Sequence, residues 1–112
     1  WDLPSALNDK TPNGGWLNRD IVQKFNDYAD VCFSNFGDRV KNWITFNEPQ
    51  SFSWLAYGLG IHAPGRCSKY MGQPCDISGG GGDSTIEPYI VSHNVILAHG
   101  LAVQTYRAKY AA

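Results

Sequence analysis

The chain has 112 residues, 43% hydrophobic and 17% charged, which fits one small globular domain and not a disordered segment. Nine Lys and Arg against ten Asp and Glu leave a formal net charge of −1, so the basic excess of a nucleic-acid binder is missing. No apolar run approaches the ~18 residues of a membrane span, and no charged stretch leads into an apolar one as in a signal peptide. Trp1 at one end and Ala111-Ala112 at the other lead us to expect processing, or excerpting from a longer chain.

Residues 1–18 read as a loop, punctuated by Pro4, Pro12 and Asn13-Gly14-Gly15. Residues 19–36 place Ile21, Phe25, Tyr28, Ala29, Cys32, Phe33 and Phe36 on one stripe of a helix. Asn18 suits its N-cap and Gly37 its C-terminal stop. Val40–Phe46 is short, β-branched and aromatic, and reads as a strand that Pro49 must end. Residues 50–85 are a long irregular loop, with a turn or two of helix expected in SFSWLAYGLG. A loop of that length is seldom an idle connection. Its glycine run, Gly79–Gly82, resembles a flexible linker and lacks the Lys-Ser/Thr of a phosphate-binding loop. Residues 86–110 form a second helix, with Ser84 and Glu87 spaced as a capping box and Pro88 in the first turn.

The order is loop, helix, strand, long loop, helix. One strand has no partner, so the pattern is a slice of a larger α/β fold whose other strands lie elsewhere. A (β/α)8 barrel takes ~250 residues, of which this chain would be a quarter to a half.

Chemistry concentrates at Ile44-Thr45-Phe46-Asn47-Glu48-Pro49. A carboxylate stands at the carboxyl end of a strand, where α/β barrels carry their catalytic groups. A Glu there serves as a general acid when an apolar or anionic neighbour raises its pKa. Asn47 offers a sugar hydroxyl both a donor and an acceptor. The competing reading is a strand-end Glu that caps a helix or sits in solvent. The aromatic content of 13%, with four Trp, suits sugar stacking as well as plain core packing.

Thr45-Phe46-Asn47-Glu48-Pro49 resembles the acid/base motif of glycoside hydrolase family 1, the β-glucosidases. WDLPSAL at 1–7, GGW at 14–16, FGDRVKNWITFNEP at 36–49, YGLGIHAPGRCS at 57–68 and EPYIVSHNVILAHG at 87–100 also read like plant members. The resemblance implies a (β/α)8 barrel that hydrolyses β-glucosides with retention, and a segment running from the loop after the third strand through the fourth helix. It gives Glu48 the role of general acid/base. Asn47 becomes the partner of the glycone 2-hydroxyl, a bond that strengthens in the transition state. Leu55 and His62 fall where members line the aglycone site, and Trp1 where the glycone-binding His precedes it. The nucleophile, held about 5–5.5 Å from the acid/base in retaining enzymes, is matched by no residue of this chain, since Glu87 stands in a different context. In thioglucosidase relatives a Gln replaces the acid/base, so Glu48 favours O-glucosides.

The resemblance to plant members also implies a disulfide between Cys67 and Cys75, the alternative being two free thiols. Cys32 is expected to be a buried free thiol. A bridge implies an oxidising compartment, whether secretory, vacuolar or plastid. His62, His93 and His99 have no metal-ligand spacing, so neither metal nor cofactor is expected. His93 and His99 read as structural. The implied partner is a small-molecule β-glucoside, with no nucleic acid, no membrane and no oligomeric state specified. Two other readings stay open: a non-catalytic sugar-binding or interaction fragment of the same fold, and a phospho-β-glycosidase.

Overall fold

The computed structural model describes residues 3–8, 14–69, 75 and 81–111. A 3-10 turn, Gly15–Leu17, precedes three helices: α1 (Ile21–Phe36), α2 (Pro49–Tyr57) and α3 (Glu87–Lys109). α3 is the spine, packed along α1 and against α2 and the 3-10 turn.

α1 starts two residues later than expected, and its N-cap is Asp20, which makes no side-chain cap bond, rather than Asn18. The Asn18 side-chain oxygen accepts the Asp20 N–H at 2.9 Å, removing one orphan donor of the first turn. Its predicted stripe is only partly covered: Ile21, Ala29 and Phe33 are buried, whereas Tyr28 and Phe36 are exposed and Cys32 is half-buried. Gly37 ends the helix in right-handed backbone, φ −63°, so its left-handed freedom is unused. On α3 the inward face is Val91, Val95, Ala98 and Ala102, all at most 3% exposed. Each buried Val contributes ~1.5–3 kcal/mol.

Two small cores result. Ala56 and Tyr57 of α2 meet Val91 and Val95, with Trp16, Leu17, Phe46 and Phe52 around them. Ala29 and Phe33 of α1 meet Ala102, with Phe25, Trp43, Tyr106 and Tyr110 around them. The 3-10 turn is pinned between the helices: Asn94 donates to the Trp16 carbonyl at 2.9 Å, and the Tyr57 hydroxyl lies under Gly15, whose φ of +58° leaves a Cβ only 3.1 Å from the Asn8 side chain. Burial pushes the Tyr57 phenol up to about 12, against the pull of its hydrogen bond with the Trp16 backbone.

Three expectations need correction. Val40–Phe46 runs between helices, but it is not a strand, and among the described residues the only β pairing is the isolated bridge Leu59↔Cys67. A ladder needs a neighbour to take its backbone bonds, and none is present. Second, the helix in the long loop is larger than a turn or two, because Pro49, which ends the extended segment, also supplies the preorganised first position of α2. Third, Ser84 and Glu87 form no capping box: the Ser84 hydroxyl donates to the Gly58 carbonyl at 2.6 Å, and Glu87 pairs with Arg66. Asp83 instead shapes the turn ahead of α3, accepting the Thr85 N–H at 2.9 Å, and no side chain caps the helix itself. The glycine run lies outside the described residues apart from Gly81 and Gly82.

Candidate active site around Glu48

Side chains hold the extended segment where backbone pairing does not. Trp43 meets Phe33 edge-on at 5.0 Å. The Thr45 hydroxyl bonds His99 Nδ1 at 2.9 Å, giving that histidine the structural role read for it. Ile44, between them, is 86% exposed and faces away from the helices. Bends at Thr45 and Asn47 then break the alternation. Phe46 turns onto Phe25, stacked at 4.3 Å, and onto Trp16 at 5.4 Å. Phe46 thus anchors the chain one residue before Asn47.

Glu48 sits at the junction of this segment and α2. Its carbonyl accepts the Phe52 N–H at 3.2 Å and so starts the helix. Its backbone is left-handed, φ 46° and ψ 57°, and among the described residues it is the sole non-glycine with positive φ. That conformation costs an L-residue ~1–2 kcal/mol. Strain of this kind persists where the surroundings over-determine it, commonly at functional sites. The Glu48 side chain makes no capping bond, and the residue is exposed. Glu48 thus caps α2 with its backbone carbonyl alone, and its carboxylate sits in solvent, as the competing reading of the sequence allows.

Asn47 is exposed beside it and lines an open groove of about 660 Å³ whose walls include Trp16, Phe46, Phe52 and Ala63-Pro64. Leu55 is half-buried on α2, and its carbonyl accepts the N–H groups of Ile61 and His62 at 2.8 and 3.1 Å. These bonds fold the exposed His62 back over α2. Asn47, Glu48, Leu55 and His62 are thus carried on one unit, α2 with its two flanks. Trp1 lies outside the described residues. A second cavity, about 580 Å³, is walled by Phe33, Trp43, Tyr106 and Tyr110 and contains none of the candidate residues. Among the described residues no three His, Cys, Asp or Glu gather as a metal site, and no helix is long and apolar enough to cross a membrane.

The Cys67–Cys75 bridge is formed, with Cα atoms 5.4 Å apart, and Cys32 is free. Two features escaped the sequence reading. In the sequence Phe46 shows only the character of a strand residue. Arg66 was not singled out, although a chain with two Glu, one of them at an apolar helix start, invites a search for the cation that would bury it.

Comparison with known proteins gives the family. The family model of Glycosyl hydrolase family 1 matches residues 1–112. A Triticum aestivum protein, 4-hydroxy-7-methoxy-3-oxo-3,4-dihydro-2H-1,4-benzoxazin-2-yl glucoside beta-D-glucosidase 1b, chloroplastic, is 54% identical over 98% of the chain, which spans 18% of that relative. Furostanol glycoside 26-O-beta-glucosidase of Hellenia speciosa is 53% identical over 100% of the chain, again 18% of the relative. A crystal structure of a GH1 beta-glucosidase from the fungus Humicola insolens in complex with glucose superposes with a TM-score of 0.82 at 40% identity, covering 98% of this chain and 21% of that one. With its sequence matched from the first residue to the last and its backbone following a solved member, the chain belongs to glycosyl hydrolase family 1.

Proposed function

We propose that residues 1–112 are one stretch of the catalytic (β/α)8 barrel of a retaining β-glucosidase, running from the loop after the third strand through the fourth helix. Val40–Phe46 would be the fourth strand, lying beside its neighbours in the whole barrel, and α3 the fourth helix. Ile44 supports this: an apolar side chain 86% exposed on the face away from the helices fits a barrel interior. Glu48 is the general acid/base and Asn47 holds the glycone 2-hydroxyl. Leu55 and His62 face the aglycone. The observation that carries this reading is the strained, uncapped Glu48 between an extended segment and a helix, inside a family match that covers the whole chain.

The chemistry follows from two carboxyls. A nucleophile elsewhere in the barrel attacks the anomeric carbon, while Glu48 gives its proton to the departing aglycone oxygen. That transfer leaves Glu48 a carboxylate, which takes a proton from the water that attacks the glycosyl-enzyme as the nucleophile is released.

The substrate class is a β-O-glucoside with an apolar aglycone. Two plant relatives, almost equally identical to this chain, are named for a benzoxazinyl glucoside and a furostanol glycoside, which supports an aglycone built on rings. The bridge and the chloroplastic name of one relative support a plastid or secretory compartment.

Glu48→Gln in the full-length protein tests the role. Hydrolysis of glucosides with poor leaving groups is expected to fall ~10²–10⁴-fold, the usual contribution of a positioned general acid. Activated aryl glucosides, which leave unassisted, lose far less in their first step, and azide restores turnover by attacking the glycosyl-enzyme without base help. Equal loss on both substrates, with no azide effect, excludes the acid/base assignment.

A further inference from the structure

Nine residues past Tyr57, at Arg66, the chain meets the start of α3 through a joint that is buried and polar. Arg66 is 3% exposed and Glu87 7%. The guanidinium Nε donates to Glu87 Oε2 at 2.8 Å and Nη2 to Oε1 at 2.6 Å, a two-pronged fork. The Arg66 N–H donates to the Ala56 carbonyl of α2 at 2.9 Å, so one residue grips α2 with its backbone and α3 with its side chain. Beside it, Ser68 and Ser84 exchange backbone-to-hydroxyl bonds, both 2.8 Å. Gly82 closes the joint: a Cβ there would lie 2.8 Å from the Cys67 nitrogen and 3.0 Å from Glu87 Oε2.

A buried ion pair is a poor device for stability alone, because desolvation offsets most of the attraction and well-packed apolar residues often serve as well. What a bidentate fork adds is a fixed direction. The part whose direction it fixes is the loop 58–66, bound to the Leu55 carbonyl at Ile61 and His62. We propose that Arg66 and Glu87 are positioning residues that orient the His62 loop, and so set which aglycones the site accepts. This rests on the reading of Leu55 and His62 as aglycone-facing.

The test uses the full-length protein and the double variant Arg66→Met/Glu87→Met, which fills the joint without leaving a lone charge. Two measurements are compared: the ratio of kcat/KM between a bulky fused-ring aryl β-glucoside and a compact phenyl β-glucoside, and the rate of glycosyl-enzyme breakdown, read from turnover of dinitrophenyl β-glucoside. The ratio is expected to shift by about 10-fold, within the range of a pocket contact. Breakdown occurs after the aglycone has left and is expected to stay within about twofold of the parent. Arg66→Lys keeps the charge but loses the fork, and is expected to move the ratio in the same direction by less. If the double variant does not fold, Arg66→Lys decides. An active parent whose variants melt at a lower temperature with the ratio unchanged, or lose both steps by one factor, overturns the positioning role alone. A parent without β-glucosidase turnover overturns the functional reading and this inference together.

Discussion

Glu48 joins two properties that usually separate: a charged, unbranched side chain and left-handed backbone. The motif around it was legible in the sequence, because Asn-Glu-Pro at the end of an apolar run names the residue types and their order. The backbone strain was not, since nothing in residues 45–49 requires positive φ; it arises from Phe46 clamped on Trp16 and Phe25 on one side and Pro49 opening α2 on the other. Replacing Glu48 by Gly should relieve ~1–2 kcal/mol of left-handed strain and give back ~0.5–1 kcal/mol in chain entropy. The full-length Glu48→Gly variant is therefore expected to unfold at slightly higher denaturant than the parent while losing acid catalysis, as a chemical melt paired with an assay will show. A lowered midpoint would mean that the left-handed backbone costs the parent nothing. Leu55 and His62 act at the same scale. Leu55→Phe is expected to reorder aglycone preference by ~1–3 kcal/mol, the worth of an apolar pocket contact, without abolishing hydrolysis. Unchanged ratios for every aglycone, in variants of both residues, exclude them from the aglycone site.

α1 and α3 were legible because each has enough turns for its apolar period to show, and their ends moved by only a residue or two. α2 was harder: nine residues give barely two repeats of a helical pattern, and its start is set by a proline that also reads as a strand breaker. The capping box failed for a different reason. Ser84 and Glu87 had the right spacing, but buried partners on the Gly58–Ser68 loop outcompeted local capping. The α1–α3 contact carries a pH dependence. Asp30 accepts the Lys109 ammonium and the Tyr110 hydroxyl, both at 2.8 Å, and these bonds hold its carboxyl below the ordinary carboxylate value. A depressed acid contributes stability above its unfolded pKa and loses it as pH falls through the folded one. Lys109 and Tyr110 are both raised by Asp30, so their share is present below their unfolded values and goes as pH climbs past them. Solvent screens the cluster, so the effect is small. Helicity of the chain, followed by circular dichroism, is expected to decline below about pH 4 and again in strong base. Asp30→Asn should flatten the acid limb, and an unaltered limb would assign it elsewhere. Thiol titration of the unfolded, unreduced chain is expected to find Cys32 alone, and three reactive thiols would exclude the bridge.

At the scale of the whole molecule, surface outweighs core. The radius of gyration is 15.3 Å, against ~13 Å for a compact domain of this length. The accessible surface is 7395 Å², against ~6,100 Å² for a folded monomer of this mass. Large apolar side chains share in this exposure: Ile44, Tyr89, Ile96 and Ile61 are each more than half exposed. Tyr89 and Ile96 stand seven apart on one face of α3, the face turned away from Val91 and Val95, with Ile86 just before the helix. The expected strand without a partner is an extended segment instead, and the apolar exposure falls on the outer side of Val40–Phe46 and along α3. The 112-residue chain by itself is accordingly expected to be inactive, helix-rich, weakly cooperative and prone to aggregate. Glu48 acting without a nucleophile supplies at most ~10²–10⁴-fold, far below the ~10⁶-fold or more of an enzyme. The unpaired backbone of the extended segment offers an edge to any neighbouring chain. Thermal unfolding by circular dichroism, light scattering and a β-glucoside assay on this chain check all three properties, and a sharp two-state melt together with turnover would show that one stretch of the barrel holds both the fold and the chemistry.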